Sequence, residues 1–354
     1  MTKKIGIILV NYKDYADKFL SACRDSLRAQ TYLPDKFQVY IIDNASSYDS
    51  QKLLEEIYPE AKILFRQDGN YAAANNFAAR YALEDGCDYL VILNMDTEVG
   101  PDWLQELVQA LELNPQAGIA QSKILLFPKE KNNKKYLINT LGNKLHFLGF
   151  GTTTYYQQPD RLINDFLEIK GYASGCCFIF RKDVFEKING WNEDYYMYHD
   201  DIEFSFKARL AGYKIILAPQ SMVFHKYEFS RSIRMLYYME RNRHLFIFSF
   251  YSLKLLLLLL PALVFLNSGL FLLAVVNGWW KTWLKANIFF FYPSTWLKII
   301  KTRRQIKNLS QLSFYNFKHD ISGTLDFLEI NNPLLRYIGN PILAIYWRFV
   351  KKVI

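Results

Sequence analysis

Over its first hundred residues the chain alternates short runs of Ile, Val and Leu with stretches of helical spacing, and few folds accommodate that alternation. Residues 5–10, 39–42, 63–65 and 89–93 are short, continuous and apolar, as strands buried on both faces are. Residues 16–30, 50–57 and 71–83, between them, repeat apolar positions at helical intervals. Strand–helix alternation predicts an α/β fold with a doubly wound, mostly parallel sheet. Such sheets bind ligands beyond the carboxyl ends of their strands. Polar residues gather at those ends: Asn11 after the first, Asp43 and Asn44 after the second, Asn94 and Asp96 after the fourth. Farther on, residues 171–222 predict a short strand at 176–181, a turn at Asn189-Gly190 and a helix starting near Asp201. The charged, turn-rich residues 129–135 read as a surface loop. Composition changes after Tyr237, which divides the chain into residues 1–237 and an apolar, basic, helical region over 238–354.

Charge follows the same division. From Lys226 onward there are 18 Lys and Arg against 5 Asp and Glu, a net of +13, whereas the part before it carries 25 against 29, a net of −4. The basic residues are interleaved with Leu, Phe and Trp instead of forming one face of a folded module. This excludes a nucleic-acid binder and suits an anionic membrane surface. Cys23, Cys87, Cys176 and Cys177 form no C-x-x-C pair and have no histidines at ligand spacing, so they read as reduced, buried thiols. Six apolar or small residues, 5–10, follow Met1-Thr2-Lys3-Lys4, too few for a secretory leader, and a cytosolic start is expected.

Several polar clusters go beyond what a fold needs. Asp96 stands just past a strand end, where a carboxylate could hold the divalent ion bridging a diphosphate; a strand-terminating turn is the structural alternative. Asp43-Asn44-Ala45-Ser46 could bond a ribose or base edge, or cap the next helix. Gly69-Asn70-Tyr71-Ala72-Ala73-Ala74-Asn75-Asn76 puts small residues at a helix start, where backbone amides favour phosphate. An alanine-rich helix packed closely on the sheet is the alternative there. In His199-Asp200-Asp201-Ile202-Glu203, three carboxylates fall within four positions and repel one another unless a cation or a reacting group uses them. A helix N-terminus would offset part of that repulsion. The functional reading is a general base. His225 closes another apparent strand end, residues 222–224.

In this order and spacing, the clusters resemble family 2 glycosyltransferases of the GT-A fold, in particular bacterial rhamnosyltransferase-like members that build surface polysaccharides. The resemblance runs from Lys4 to Arg243. It rests on Ile8-Leu9-Val10-Asn11-Tyr12, Asp43-Asn44-Ala45-Ser46, Gly69-Asn70-Tyr71-Ala72, Asn75-Asn76 and Leu93-Asn94-Met95-Asp96-Thr97. Gly175, Gly190-Trp191, the acidic cluster leading to Arg209-Leu210-Ala211-Gly212-Tyr213, His225 and Arg241-Asn242-Arg243 complete it. It implies an inverting transfer from a nucleotide-diphosphate sugar, dTDP-rhamnose or a UDP-hexose, to a hydroxyl of a polyprenyl-diphosphate-linked glycan. Asp201, with Asp200 beside it, would be catalytic. Asp96 and His225 would hold Mg2+ or Mn2+. Asn11, Asp43, Asn70, Asn76, Asn94, Trp191 and Arg241 would contact the nucleotide sugar, Asp43 through the base. Two departures stand out: Asn94 occupies the first position of the D-x-D-like element, and the acidic motif reads Asp-Asp-Ile-Glu where many relatives have Glu-Asp-x-Asp. Alternatives of other kinds are a catalytically inactive nucleotide-sugar-binding scaffold and a processive polysaccharide synthase. The latter would carry several clear spans and a Gln-x-x-Arg-Trp element, which is absent here.

In the tail, residues 255–276 give 22 positions without a charge, long enough to cross a bilayer. Pro261 and Asn267-Ser268-Gly269 are expected to interrupt that run. Basic residues flank it on both sides, from Arg231 to Arg243 and from Lys281 to Lys307, an arrangement best served if both ends stay cytosolic. A re-entrant hairpin or interfacial helices at the cytoplasmic face of the cell membrane satisfy it, with Trp279, Trp280, Trp283 and Trp296 as an interfacial belt. A soluble, buried helical domain is the alternative.

Overall fold

The computed structural model describes residues 2–45, 47–128, 136–228, 235–326 and 333–354. Ser46, the loop expected over residues 129–135, and Arg231 and Arg234 lie outside the described residues. The chain divides into two compact units: Met1–Asn143 with Thr153–Arg209 and Tyr213–Tyr227, and Lys144–Thr152 with Leu210–Gly212 and Glu228–Ile354.

The first unit is α/β. Its opening strands are β1 (Ile5–Asn11), β2 (Phe37–Asn44), β3 (Lys62–Arg66) and β4 (Tyr89–Leu93), joined by α1 (Ser21–Arg28), α2 (Tyr48–Ile57) and α3 (Tyr71–Glu84). β5 (Thr97–Val99), α4 (Trp103–Leu113), β6 (Ala117–Leu126) and β7 (Ile138–Thr140) follow. A hairpin, β8 (Asn143–Leu145) with β9 (Gly151–Thr153), leads on to β10 (Leu167–Glu168), β11 (Cys177–Arg181), α5 (Lys182–Ile188), α6 (Asp200–Leu210) and β12 (Lys214–His225). Strand order across the main sheet is β10-β12-β6-β11-β4-β1-β2-β3, with β5 on β12 and β7 on β6.

β1 is parallel to β2 and β4, and β6 is parallel to β12; β11 runs backwards between β4 and β6, as β5 and β10 do beside β12 and β7 beside β6. The carboxyl ends of β1, β2, β4 and β12 therefore share one edge with the amino end of β11. β1, β2 and β4 match the runs read from sequence because they are largely buried apolar segments with no competing period; β3, expected to be buried on both faces, is instead an edge strand of half-buried and exposed residues. Ile7, Leu9, Ile41, Val91 and Leu93 sit in the core beside Leu104, Leu107 and Leu111 of α4. All four cysteines are free and buried, and burial pushes the Cys23 thiol up to about 12 and the Cys177 thiol up to about 11, as expected for inert packing groups.

The second unit is helical: α7 (Leu236–Phe250), α8 (Leu253–Val276), α9 (Trp280–Ile288), α10 (Pro293–Leu309) and α11 (Asn340–Val353). The interruption expected in the apolar run does not form; α8 is one continuous helix of 24 residues with Pro261 inside it. Two tertiary interactions support it. Pro261 removes one backbone donor, which leaves the Leu257 carbonyl without its helical partner, and the Tyr346 hydroxyl donates to the neighbouring Leu258 carbonyl in the same turn. The Asn267 side chain, a potential helix breaker, bonds instead to Arg243 at 2.8 Å and to His244 at 3.2 Å. The turn comes later, between α8 and α9, where Gly278 takes φ +76°.

Candidate active site

The shared edge of the sheet carries the polar residues. Asn11 and Asp43 are side by side in the β1–β2 register. The Asn11 amide donates to Asp43 Oδ1 at 2.8 Å, while its Oδ1 accepts the Ala16 N–H at 3.0 Å where the chain turns back toward α1. Ser50, one turn into α2, donates to Asp43 Oδ2 at 2.6 Å. Asp43 is thus aimed by its neighbours, and Asn11 is one of the residues that aim it. Next to it, the buried Asn44 Oδ1 has no hydrogen-bond partner among the described residues, which leaves an acceptor ready for a ligand donor.

At the end of β4 the Asn94 N–H donates to the Cys176 carbonyl at 2.8 Å, extending the β4–β11 pairing by one residue. Two residues on, Asp96 Oδ1 lies 3.4 Å from His225 Nε2, and the residues are 5% and 8% exposed. The pairing of β12 with β5, His225 opposite Thr97, brings them together. His225 Nδ1 meets Asn139 Oδ1 at 2.9 Å, which holds the ring with Nε2 toward Asp96. Adjacent ligands of a divalent ion bound at about 2.1 Å lie about 3 Å apart, so this pair fits such an ion. Among the described residues, no third His, Cys, Asp or Glu joins them.

The acidic cluster heads α6, and its three carboxylates are held differently. Asp201 Oδ2 accepts the Gly175 N–H at 3.1 Å and its Oδ1 accepts the Ile202 N–H at 2.8 Å. Gly175 lies close against it, with the position of a Cβ there 3.4 Å from that of Asp201, an ordinary packing distance. Burial raises the Asp201 carboxyl to about 6. Asp200 is pushed well above the usual carboxylate range, first by burial and then by the Asp201 charge. Glu203 is fully buried and does structural work. It pairs with Lys207 at 2.9 Å and accepts the Asn192 N–H at 3.2 Å, while Lys207 donates to the Gly190 carbonyl. The backbone entering the helix is strained, with Tyr196, Tyr198 and His199 at φ +66°, +63° and +60°.

Helix α3 supplies the other wall. Asn70 caps it by accepting the Ala73 N–H at 3.0 Å, and its amide donates to the Glu193 carbonyl at 2.9 Å. Asn76 accepts the Trp191 N–H at 2.8 Å and donates to the Trp191 carbonyl and the Glu193 carboxylate, each at 2.9 Å. Both asparagines therefore hold the 191–193 segment in place. Gly190, at φ +60°, leaves the room this requires, since a Cβ would fall 2.2 Å from Asn76 Oδ1. Trp191 is 4% exposed and stacks on Phe204 with ring centroids 4.2 Å apart, so its indole packs in the core beneath the acidic helix. The Tyr71 hydroxyl donates to Asn94 Oδ1 at 3.3 Å, and burial followed by the Asp200 charge raises its pKa. Arg241 belongs to the second unit, where the rings of Tyr237, Tyr238 and Phe289 surround its guanidinium.

Sequence reading missed Asn139 and the role of Tyr71. Asn139 stands alone on a short strand with no motif around it. Tyr71 lies inside a motif whose other members attract attention first.

The family model for glycosyl transferase family 2 matches residues 6–189. The O-antigen biosynthesis protein RfbC of Myxococcus xanthus is 30% identical over 240 residues, 65% of this chain but only 18% of that protein. The N-acetylglucosaminyl-diphospho-decaprenol L-rhamnosyltransferase of Mycobacterium tuberculosis is 24% identical over 245 residues, covering 64% of this chain and 76% of that enzyme. This chain spans less than a quarter of the first two curated relatives it matches. Among solved structures, GalNAc-T7 with UDP, GalNAc and Mn2+ superposes with a TM-score of 0.53 at 13% identity, covering 71% of this chain and 49% of that one. TarS 1–349 of S. aureus with UDP gives 0.50 at 15% identity, covering 99% and 90%. At these identities the structural likeness is one of fold.

Proposed function

The chain belongs to glycosyl transferase family 2 and has its GT-A fold, and from that premise we propose that it is a metal-dependent, inverting hexosyltransferase. Its donor is a nucleotide-diphosphate sugar, dTDP-rhamnose or a UDP-hexose, and its acceptor a hydroxyl of a polyprenyl-diphosphate-linked glycan. The printed names of the Myxococcus and Mycobacterium relatives support cell-surface polysaccharide synthesis as the setting. The tail's net charge of +13 supports a monotopic position at the cytoplasmic face of the membrane.

One observation carries the reading. The Asp96–His225 pair stands at the same sheet edge as the Gly175-Cys176 turn, and that turn bonds both Asn94 and Asp201. Asp201, raised to about 6, is ionised at neutral pH yet basic enough to take a proton. In the reaction it removes the acceptor hydroxyl proton as that oxygen bonds to the anomeric carbon. The bond from that carbon to the diphosphate oxygen breaks on the opposite side, with inversion. Burial and the Asp201 charge hold the Asp200 carboxyl beside it well above the usual carboxylate range, which disfavours a second negative charge in the site. Asp43 and Asn44 receive the nucleoside, and Asn94 meets the sugar diphosphate. Asn11, Asn70, Asn76 and Trp191 act behind that surface by fixing it. A divalent ion on Asp96 and His225 supplies positive charge for the diphosphate.

The test is sugar transfer by the purified chain from a panel of nucleotide sugars to a polyprenyl-diphosphate-linked acceptor, with and without chelator. Loss of transfer in chelator, its return with Mn2+, and a raised Mn2+ requirement in His225→Ala are expected. Undiminished transfer in chelator would refute the metal assignment.

A further inference from the structure

Helix α8 has two apolar faces. Leu255, Leu259, Ala262, Leu263 and Ala274 are buried in the helical unit, while Leu253, Leu257, Leu260, Val264, Phe271 and Val275 form an exposed stripe along its length. α11 repeats the arrangement, with Leu343, Trp347 and Val350 inside and Ile342, Ile345, Phe349 and Val353 outside. Leu257 and Ile345 are 63% and 65% exposed. The helices meet antiparallel, through Lys254 Nζ on the Val353 carbonyl at 2.9 Å and Tyr346 on the Leu258 carbonyl. At 100° per residue from these contacts, both outer stripes fall on the same side of the seam. Exposed Lys254, Arg348 and Lys352 border them.

By length and composition α8 could cross a bilayer, but its polar attachments argue against that orientation. Asn267, near its midpoint, bonds to Arg243 and His244. Arg243, 1% exposed, also pairs with Glu240 at 2.6 Å and donates to the Leu148 carbonyl, in a non-helical turn, at 3.0 Å. A spanning α8 would carry this whole group, with its ion pair and irregular backbone, to the middle of the hydrocarbon, where both are costly. Lying flat at the acyl boundary, the same helix keeps the group near the headgroups, on the flank of the stripe and away from the bilayer's middle, and offers the stripe to lipid.

We infer that α8 and α11 form a two-helix face that lies in the plane of an anionic bilayer, its stripes in the acyl boundary and its cations among the headgroups. The inference rests on the membrane position proposed above and adds its surface and orientation. The bordering cations single out lipid, because a second copy of the chain would bring an identical positive rim against this one. Amphipathic helices bound in this way sit about 5–10 Å deep.

The experiment uses the full chain with phosphatidylcholine vesicles containing about a third phosphatidylglycerol, a mixture that gives an anionic surface. Wild type is expected to float with them, and so is Asp201→Asn. The double variant Leu257→Glu/Ile345→Glu, altered only at exposed positions and with an unchanged unfolding temperature, is expected to partition about a hundredfold more weakly, or tenfold per carboxylate. Nitroxides at Leu257, Val264, Phe271 and Val275 should report one shallow depth. A depth profile peaking at Val264 and falling toward both ends would mean a span and overturn the inference. So would undiminished flotation of the double variant, or no flotation of wild type. A chain that floats as described yet transfers no sugar supports this inference and removes the transferase reading instead.

Discussion

Asp201→Asn should abolish transfer while making the protein more stable at alkaline pH. The carboxyl rises from 3.8 to about 6 on folding because burial disfavours its charge. The folded state therefore binds this proton more tightly than the unfolded state does. Its stabilising contribution is complete below about pH 3.8 and is lost as pH rises through about 6. At about 1.4 kcal/mol per unit, ionised Asp201 costs ~3 kcal/mol at pH 8 and roughly half that at pH 5. Asparagine keeps the shape and discards the charge. Its oxygen can still accept one N–H, from Gly175 or Ile202, and losing the other bond removes about 1 kcal/mol of the gain. A net gain of ~2 kcal/mol at pH 8, shrinking by more than 1 kcal/mol at pH 5, is the expected outcome. Relief of the repulsion on Asp200 acts in the same direction. Denaturant unfolding of both proteins at the two pH values measures it, with transfer assayed in parallel. A variant less stable at pH 8, or one whose advantage does not change with pH, would refute the account of Asp201 as a buried, strained base; equal turnover would remove it as the base altogether.

Three further outcomes separate the residues that hold the site from those that face the substrate. Glu203→Gln strips the counterion from Lys207, whose side chain is 9% exposed, and should lower unfolding stability by about 3 kcal/mol, as breaking buried ion pairs does; no change would mean that Lys207 finds another partner. Gly190→Ala meets both a left-handed φ and Asn76 at 2.2 Å, so a loss of at least about 2 kcal/mol is expected in the same assay, and a neutral result would contradict the Asn76–Trp191 clamp. Tyr71→Phe removes one hydroxyl from Asn94. It should cost no more than about 1 kcal/mol of stability yet raise KM for the donor several-fold with kcat little changed, whereas a parallel fall in stability and kcat would make Tyr71 merely a packing residue.

The strands and crossover helices of the front sheet were legible because each depends on a local pattern: an apolar run for β1 or β4, helical spacing for α3. Asp96, His225 and Asp201 were legible for a related reason, since each stands beside an element boundary that the pattern also marks. What each asparagine does was not legible. Asn70 and Asn76 read as ligand groups, but their partners are the Trp191 and Glu193 backbone and the Glu193 carboxylate, more than a hundred residues away, and no local pattern encodes such a distant contact. Trp191 failed in the same way: only the fold places Phe204 against its ring. In α8 the composition pointed to a break at Asn267, and a side-chain bond to α7 keeps the helix intact. Tertiary hydrogen bonds overrode local propensity there, as they often do.

The unfavourable features of the first unit concentrate where the chemistry is proposed. Three carboxylates shifted upward, left-handed backbone at Tyr196, Tyr198 and His199, and buried acceptors without described partners on Asn44 and Asn75 all lie along or beside the carboxyl edge of the sheet. Such features persist only when the surroundings fix them firmly. Here the fixing comes from Glu203 with Lys207 on one side of the 190–193 segment and from Asn70 with Asn76 on the other. These four residues tie the 190–193 segment to α3 and to α6, the helix that Asp200 and Asp201 head. A helix N-terminus alone would explain why acidic residues collect at the start of α6. It would not explain why the chain enters that helix through three strained residues, nor why the third carboxylate is neutralised by its own lysine while the first two are not. A site that must hold Asp201 half-buried and ionised at neutral pH accounts for both.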